Sequence, residues 1–238
     1  MSKRRPTRRT EPQGHTRRTD HHADDRERWA SLYTLLAEGL KHPDERLYRD
    51  VKAGRFAAEY TALAEALSIP VPDGPGSPDA VPTGRAAFDR EYTALFEGLR
   101  TPYAPLVESV YRPWHDGTAG GGLLGPPAAD MQRRYDAGGF SVPSAYQPDH
   151  LALVFEYAAA LLRTDERTAY RSFLEHHLDW VPALERLADA AAADSPFHRY
   201  CVAAACETVT AARERAGVTG PDPDAVEAMV DRAEIRIE

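Results

Sequence analysis

The change from loop to helix in this chain falls within the stretch Pro148-Asp149-His150-Leu151-Ala152-Leu153-Val154-Phe155-Glu156-Tyr157. An irregular region rich in glycine and proline, which starts near residue 113, ends here. From residue 151 to residue 162, apolar side chains recur at the i, i+3, i+4, i+7 spacing of a buried helical stripe. Asp149 stands at the N-cap position, where its carboxylate can accept hydrogen bonds from first-turn amides. We therefore predict a helix over 148–162 with the ionisable pair Asp149–His150 at its start.

Similar stripes predict helices on both sides of this stretch. Upstream they cover residues 24–40, 44–53, 55–67 and 84–99. Downstream they cover residues 128–137, a segment from Tyr170 that Pro182 bends or restarts, a helix opened by Ser195-Pro196, and a last helix from Pro223. No sustained period-two run of β-branched residues occurs. The predicted fold class is therefore all-α: a single globular bundle of about ten helices with a long irregular central loop region.

Prolines and glycines set the predicted boundaries within the chain. Residues 69–83 contain five prolines and are predicted to be a flexible surface loop. Residues 138–150, which begin with two glycines, are predicted to be a hinge loop. The basic residues 1–22 are predicted to be a disordered tail, and residues 23–238 one helical domain.

The net charge of −8 is distributed unevenly along the chain. Residues 1–18 contain seven basic side chains and one acidic side chain, a net charge of +6, so the remainder carries −14. The acidic body argues against nucleic acid as a partner and suits a basic peptide. The basic arm leaves open a role at nucleic acid or a membrane surface. Its Arg-Arg pairs are not followed by a hydrophobic segment, and no apolar run approaches the roughly 18–20 residues of a membrane span.

Two features of the central region invite an enzymatic interpretation. The glycines over 117–125 lack the Gly-Lys-Ser/Thr ending and the preceding strand of a phosphate-binding loop, so no nucleotide site is predicted there. His115-Asp116 is similar to the metal-binding pair of some all-helical phosphohydrolases, but rigid helices usually hold such ligands. Asp149-His150 could act as an acid–base pair, because a carboxylate raises the basicity of a histidine. These pairs define the alternative prediction of an all-helical metal-dependent hydrolase or acid–base enzyme.

The other cysteines and histidines are predicted to be ordinary helix residues. Cys201 and Cys206 are five residues apart, which places them on different sides of a helix, and two cysteines are too few for a disulfide scaffold. Adjacent histidines such as His176-His177 point about 100° apart on a helix, so they do not form a metal site by themselves. No metal site is predicted.

Four segments between residues 108 and 180 occur in a fixed order: Glu108-Ser109-Val110-Tyr111, Leu123-Leu124-Gly125-Pro126, Gln147-Pro148-Asp149-His150-Leu151-Ala152, and Phe173-Leu174 with His177-Leu178 and Trp180. In order and spacing they resemble the TorD/DmsD/NarJ-like family of cytoplasmic chaperones for molybdenum-containing oxidoreductases. The corresponding family segments are Glu-Ser-x-Tyr, Leu-x-Gly-Pro, Glu-Pro-x-Asp-His and Phe-Leu-x-x-His-Leu-x-x-Trp. One departure is Gln147, which stands where the family usually has glutamate.

The resemblance implies a cytoplasmic chaperone that has no catalytic activity and no cofactor of its own. Such chaperones bind the twin-arginine signal peptide, or a nearby region, of a molybdopterin oxidoreductase catalytic subunit and assist cofactor insertion before export. Molybdenum cofactor biosynthesis proteins are further implied partners, and the chaperone is a monomer or a homodimer. An arginine pair calls for carboxylates, and the apolar part of the peptide calls for an aromatic groove. The predicted client-binding residues are Glu108, Tyr111, Pro148, Asp149 and His150.

Overall fold

The computed structural model describes residues 15–74, 81–98, 102–111, 125–191 and 193–237. Within these ranges the chain forms eleven α-helices and no β-strand, which confirms the predicted all-α class. The helices are α1 (His15–Leu40), α2 (Glu45–Lys52), α3 (Arg55–Leu67), α4 (Arg85–Phe96), α5 (Glu108–Tyr111), α6 (Pro126–Gly138), α7 (Leu151–Arg163), α8 (Arg167–His177), α9 (Val181–Ala190), α10 (Pro196–Ala216) and α11 (Pro223–Ile237).

Helix α7 lies at the centre of the packing. Most of its circumference is buried, including the continuous run Leu151–Phe155, and a helix that is apolar on most sides must be enclosed by other elements. Helix α1 packs along α7 more extensively than any other pair of helices. The ring of Tyr33 on α1 lies 5.2 Å from that of Phe155. The buried stripe predicted for α7 is confirmed.

Helix α1 makes a close approach to α3 and α10 at Gly39. A Cβ atom at this position would lie 2.7 Å from Cζ of Phe56 and 2.9 Å from Sγ of Cys201. These distances are shorter than packed side chains tolerate, so the small residue allows the helices to meet. Cys201, like Cys206, is a free thiol on α10.

The structure differs from the sequence prediction at the start of α1. This helix begins at His15, so residues 15–22, which were predicted to belong to the disordered tail, are helical. These residues are polar and carry no apolar stripe, so periodicity could not detect them. Residues 1–14 lie outside the described ranges, and for them the disordered tail stays a prediction.

The predicted flexible loop over 69–83 has no helix or strand where it is described, and residues 75–80 of it lie outside the described ranges. None of the described helices is both long enough and apolar enough to cross a bilayer. The single helical domain over 23–238 stays a prediction.

Candidate functional site

Two segments that are distant in sequence meet at the start of α7. The amide of Glu108 donates to the carbonyl of Asp149 over 3.2 Å, and the amide of Leu151 donates to the carbonyl of Leu106 over 2.8 Å. Val107 and His150 form an isolated antiparallel bridge between these bonds. Nearby, the hydroxyl of Tyr135 on α6 donates to the carbonyl of Pro148 over 3.0 Å. The contact brings the predicted residues Glu108, Pro148, Asp149 and His150 to one place.

Asp149 is fully buried and does not cap α7. One of its oxygens, Oδ2, accepts from the amide of Ser109 over 2.8 Å and from the hydroxyl of Ser109 over 2.5 Å. The prediction that Asp149 is the N-cap of α7 is therefore wrong: its carboxylate satisfies first-turn donors of α5, a helix 40 residues earlier in the chain. Burial raises the pKa of Asp149 to about 6, although the Ser109 bonds oppose this rise.

The N-cap of α7 is His150. Its Nδ1 accepts from the amide of Ala152 over 3.3 Å, so this nitrogen must be unprotonated. Burial, and secondarily the charge of Lys41, lowers the pKa of His150 to about 4. The ring also makes an edge contact with Tyr146, with 4.9 Å between centroids. His150 is therefore an uncharged ring near neutral pH.

Glu108 lies in a buried network of charged side chains. Its Oε2 is 2.8 Å from Nδ1 of His177, and Nε2 of the same ring is 3.0 Å from Oδ2 of Asp130. Asp130 in turn accepts from Arg134 over 2.6 Å. Burial disfavours a charged imidazole, but the two carboxylates outweigh it and raise the pKa of His177. The network joins α5, α6 and α8 through a charged imidazole between two carboxylates.

Sequence reasoning missed this network. In the sequence, His177 belongs to an adjacent histidine pair and to a segment of the resemblance, and no pattern indicates a role for Asp130. The signal in the sequence was the histidine within the segment from Phe173 to Trp180. The indole of Trp180 donates to the carbonyl of His177 over 2.9 Å, and the ring of Phe173 stacks on that of His177 at 5.1 Å.

Tyr111 is also enclosed. Its hydroxyl donates to the carbonyl of Pro105 over 2.9 Å, and its ring stacks on that of Trp180 with 4.8 Å between centroids. Glu108, Tyr111 and Asp149 are thus buried side chains with partners inside the chain. Pro148 is half-buried.

A cleft of about 410 Å³ opens beside the crossing, and we call it the aromatic cleft. Among the five predicted residues, His150 lines it, together with the neighbouring Gln147. The rest of the wall is mostly aromatic or apolar and consists of His42, Tyr92, Phe96, Glu97, Tyr103, Pro105, Leu106, Val107, Ala145 and Tyr146. Sequence reasoning pointed to the loop that holds Tyr103 but missed the contribution of α4.

Among the described residues that line the aromatic cleft, Glu97 is the single carboxylate. It is exposed, and it forms the C-cap of α4, where the carbonyl end of the helix adds partial negative charge. Gly98 follows in a left-handed conformation with φ of 80°, and a Cβ there would lie 2.7 Å from Cζ of Tyr103. The chain thus holds a carboxylate, a helix C-terminus and a tyrosine ring together, three features that attract a cation.

Among the residues of the alternative enzymatic prediction, the structure describes Asp149 and His150, and these two do not pair with each other. His115, Asp116 and most of the glycine segment over 117–125 lie outside the described ranges. Asp149 and His150 engage different partners, the start of α5 and the start of α7. Within the part of the chain that the structure describes, no group of three or more His, Cys, Asp or Glu residues is arranged to hold a metal ion.

Comparisons with known proteins identify a matching family and a similar solved structure. Residues 27–186 match the family model described as nitrate reductase delta subunit. No curated protein sequence matches the chain significantly. Among solved structures, a crystal structure described as a candidate redox enzyme maturation protein from Archaeoglobus fulgidus aligns with 79% of this chain and 97% of its own, at 18% identity and a TM-score of 0.40.

Proposed function

The chain belongs to the nitrate reductase delta subunit family of NarJ- and TorD-like redox enzyme maturation chaperones, and from this we propose that it binds the signal peptide of a molybdoenzyme. We propose specifically that it holds the twin-arginine signal peptide, or a nearby region, of a molybdopterin oxidoreductase catalytic subunit in the cytoplasm while the cofactor is inserted. Molybdenum cofactor biosynthesis proteins are proposed further partners. Members of this family are chaperones and not enzymes, which removes the alternative of a hydrolase or acid–base enzyme.

The single observation that carries the peptide proposal is the aromatic cleft with Glu97 at its wall. An extended peptide needs apolar surface for its hydrophobic side chains, and a carboxylate stabilises an arginine that loses water on binding. Tyr92, Phe96 and Tyr103 supply aromatic surface, and Glu97 supplies the charge at a helix C-terminus. A guanidinium that approaches Glu97 can also stack on the ring of Tyr103.

The protonation state of His150 favours a basic ligand in this cleft. Because burial lowers its pKa to about 4, the ring carries no charge near neutral pH. A charged imidazole at this position would repel arginine from the aromatic cleft. The net charge of −8 on the whole chain acts in the same direction, since it attracts a basic peptide over a longer range.

We propose distinct roles for the five predicted client-binding residues. His150 contributes a wall of the aromatic cleft and caps α7. Asp149 and Glu108 fix the start of α5 and its contact with α8, and Tyr111 holds the Pro105 carbonyl. The carbonyl of Pro148 accepts a hydrogen bond from the hydroxyl of Tyr135. In this proposal the buried members position the wall and do not touch the peptide.

The experiment is a fluorescence anisotropy titration with a labelled peptide that carries an Arg-Arg pair followed by an apolar segment. Glu97→Gln should weaken binding by about two- to fivefold, as expected for a partly exposed ion pair. Tyr103→Ala should weaken it by about tenfold or more, as expected for an aromatic anchor. Glu227→Gln, which removes an exposed carboxylate on α11, is the matched control and should have no effect.

The peptide itself provides a second control. Replacing its arginine pair by glutamine should reduce affinity for the natural chain but cause a smaller loss with Glu97→Gln, because the two changes remove the same contact. The absence of saturable binding would refute the proposal. So would equal affinities of the natural chain and both cleft variants.

A further inference from the structure

A second cleft, of about 380 Å³, lies at the other end of α7. It is bounded by Arg26 and Trp29 of α1, the turn between α7 and α8, and the C-terminal end of α10. His150 marks one end of α7, and Leu161 and Leu162 at the other end line this second cleft. Twelve residues of helix separate them, a distance of about 18 Å. The two clefts are therefore separate places on the molecule.

Charge distinguishes the second cleft from the rest of this acidic chain. Four arginines line it, Arg26, Arg167, Arg171 and Arg215, against two carboxylates, those of Asp165 and Glu166. We call it the arginine-rimmed cleft. The lining carries a net charge of +2 in a chain whose net charge is −8. A local excess of guanidinium groups in an acidic protein is a feature of sites that receive anions.

The arginines are held in place while retaining free donors. Asp165 pairs with both Arg26 and Arg167, and these two arginines lower its pKa. One guanidinium nitrogen of Arg171 donates to the carbonyl of Gly217 over 3.2 Å. Each guanidinium has five N–H donors, so these contacts orient the groups without using all of them.

The start of α8 adds positive electrostatic potential at the same rim. Helix α8 begins at Arg167, directly beside the cleft, and its N-cap residue Glu166 makes no side-chain capping bond. First-turn amides of a helix lack partners inside the helix, and the helix dipole makes this end positive. The amide of Arg167 already donates to the carbonyl of Asp165 over 2.9 Å, so the start of α8 contributes the positive end of its dipole while the guanidinium groups supply the donors.

The floor of the arginine-rimmed cleft is apolar. Trp29, Leu161, Leu162, Ala212 and Ala216 line it beneath the charged rim. Trp29 is only 5% exposed, and its indole nitrogen has no hydrogen-bond partner among the described residues. Nε of Arg26 is also buried without a partner among them. A charged rim over an apolar floor fits a ligand that has one charged end and one apolar end. A bound anion would offer acceptors to the indole nitrogen of Trp29 and to Nε of Arg26.

We propose that the arginine-rimmed cleft binds a small amphipathic anion, that is, a carboxylate or a phosphate attached to an aromatic or aliphatic group. The aromatic or aliphatic group lies on the floor formed by Trp29 and Leu162. The charged group lies at the rim, between Arg167 and Arg171 and the start of α8. The cleft is a ligand site separate from the aromatic cleft.

Calorimetric titration of the full chain with phenyl phosphate and with benzoate tests this proposal. We expect saturable binding of at least one of the two, with a dissociation constant of roughly 1 mM, as is usual for so small a ligand. A preference between them identifies whether the site takes a phosphate or a carboxylate. Inorganic phosphate and benzyl alcohol each keep one half of the ligand, and each should bind about tenfold more weakly or not at all.

Variants assign the binding to the cleft. The double variant Arg167→Gln/Arg171→Gln should weaken binding by about tenfold or more, since it removes two charge-assisted contacts. The matched control is Arg49→Gln/Arg186→Gln, which removes two exposed arginines elsewhere and should have no effect. Binding beside Trp29 should change the tryptophan fluorescence, and Trp29→Phe should remove this change and weaken the binding measured by calorimetry, because it keeps the aromatic floor but deletes the indole donor.

Two outcomes would overturn the proposal: no saturable binding of either anion, or equal binding by the natural chain and the Arg167/Arg171 double variant. The unfolding midpoint of each variant in urea establishes that it is folded before titration. Neither outcome bears on peptide binding at the aromatic cleft.

Discussion

Asp149→Asn probes the buried carboxylate at the crossing of the two segments. Burial raises the pKa of Asp149 from 3.8 to about 6 in the folded chain. The protonated carboxyl group of Asp149 therefore contributes its full stabilisation below pH 3.8, the pKa in the unfolded chain. This contribution is lost as the pH rises through about 6, the pKa in the folded chain. Linkage gives a cost of about 3 kcal/mol for the ionised group at pH 7.5 and of about 1 kcal/mol at pH 4.5. Asparagine keeps an acceptor for Ser109 but never ionises.

The free energy of unfolding of Asp149→Asn, relative to the natural chain, should therefore rise by about 2 kcal/mol from pH 4.5 to pH 7.5. Urea unfolding at several pH values in this range measures the difference. The lowered pKa of His150 changes the free energy of unfolding in the opposite direction. The stabilisation from its uncharged ring is present above pH 6.5 and is lost as the pH falls toward 4. Both proteins keep this histidine, so its contribution cancels in the difference. The exposed Glu227→Gln is the control.

A difference that is flat with pH, or that falls as the pH rises, would refute the reasoning about Asp149. The same variant separates two roles at pH 7.5. A carboxylate in contact with an arginine of the peptide would lose about tenfold in affinity or more when neutralised. A carboxylate that holds the start of α5 through Ser109 should change the affinity by less than about twofold, which is the result we expect.

Three further predictions concern packing, the buried network and the cleft wall. Gly39→Val should destabilise the chain by about 1–3 kcal/mol through overpacking, whereas Gly220→Ala, with open space around its Cβ position, should be nearly neutral in urea unfolding. His177→Gln should cost about 3–5 kcal/mol because it removes the charged imidazole that lies between the buried Glu108 and Asp130. This loss should shrink as the pH rises above 6.5 through the raised pKa of His177, and the neighbouring His176→Gln is the control. Gln147→Glu should strengthen binding of the Arg-Arg peptide by about two- to fivefold at low salt and less at 0.5 M salt, and equal affinities at low salt would contradict a cleft that takes a basic ligand.

The helices were predictable because their apolar stripes are local. Helix α3 has the predicted bounds, Arg55–Leu67, and α7 differs from its prediction by a few residues at its start. Helix α5 was not predicted, since four residues carry too little periodicity. Its first turn is satisfied by a carboxylate 40 residues away, and no local pattern contains that information.

The residues that meet at the crossing of the two segments were predictable from the sequence more than their contacts were. The resemblance selected Glu108, Asp149 and His150, and the fold brings all three together. Asp149 looked like the cap of α7 because an aspartate directly before an apolar stripe usually is one. The bridge between residues 107 and 150 shifts the cap to His150 and turns Asp149 toward Ser109. Burial of this kind follows from tertiary contacts and cannot be inferred from spacing.

The division between buried and exposed residues at this site has a consequence for partner choice. Glu108, Asp149 and His177, which carry the resemblance to the chaperone family, make their contacts inside the chain. Glu97 and Tyr103 line the aromatic cleft and stand outside the resembling segments, whereas Gln147 lies in both. Substitutions in the buried set should act first on stability, because they remove charge partners from water-free surroundings. Substitutions in the wall should act on affinity and ligand charge with little effect on stability, because their side chains are partly exposed. Gln147 belongs to the wall, so the missing carboxylate there changes what the cleft attracts and leaves the frame beneath it intact.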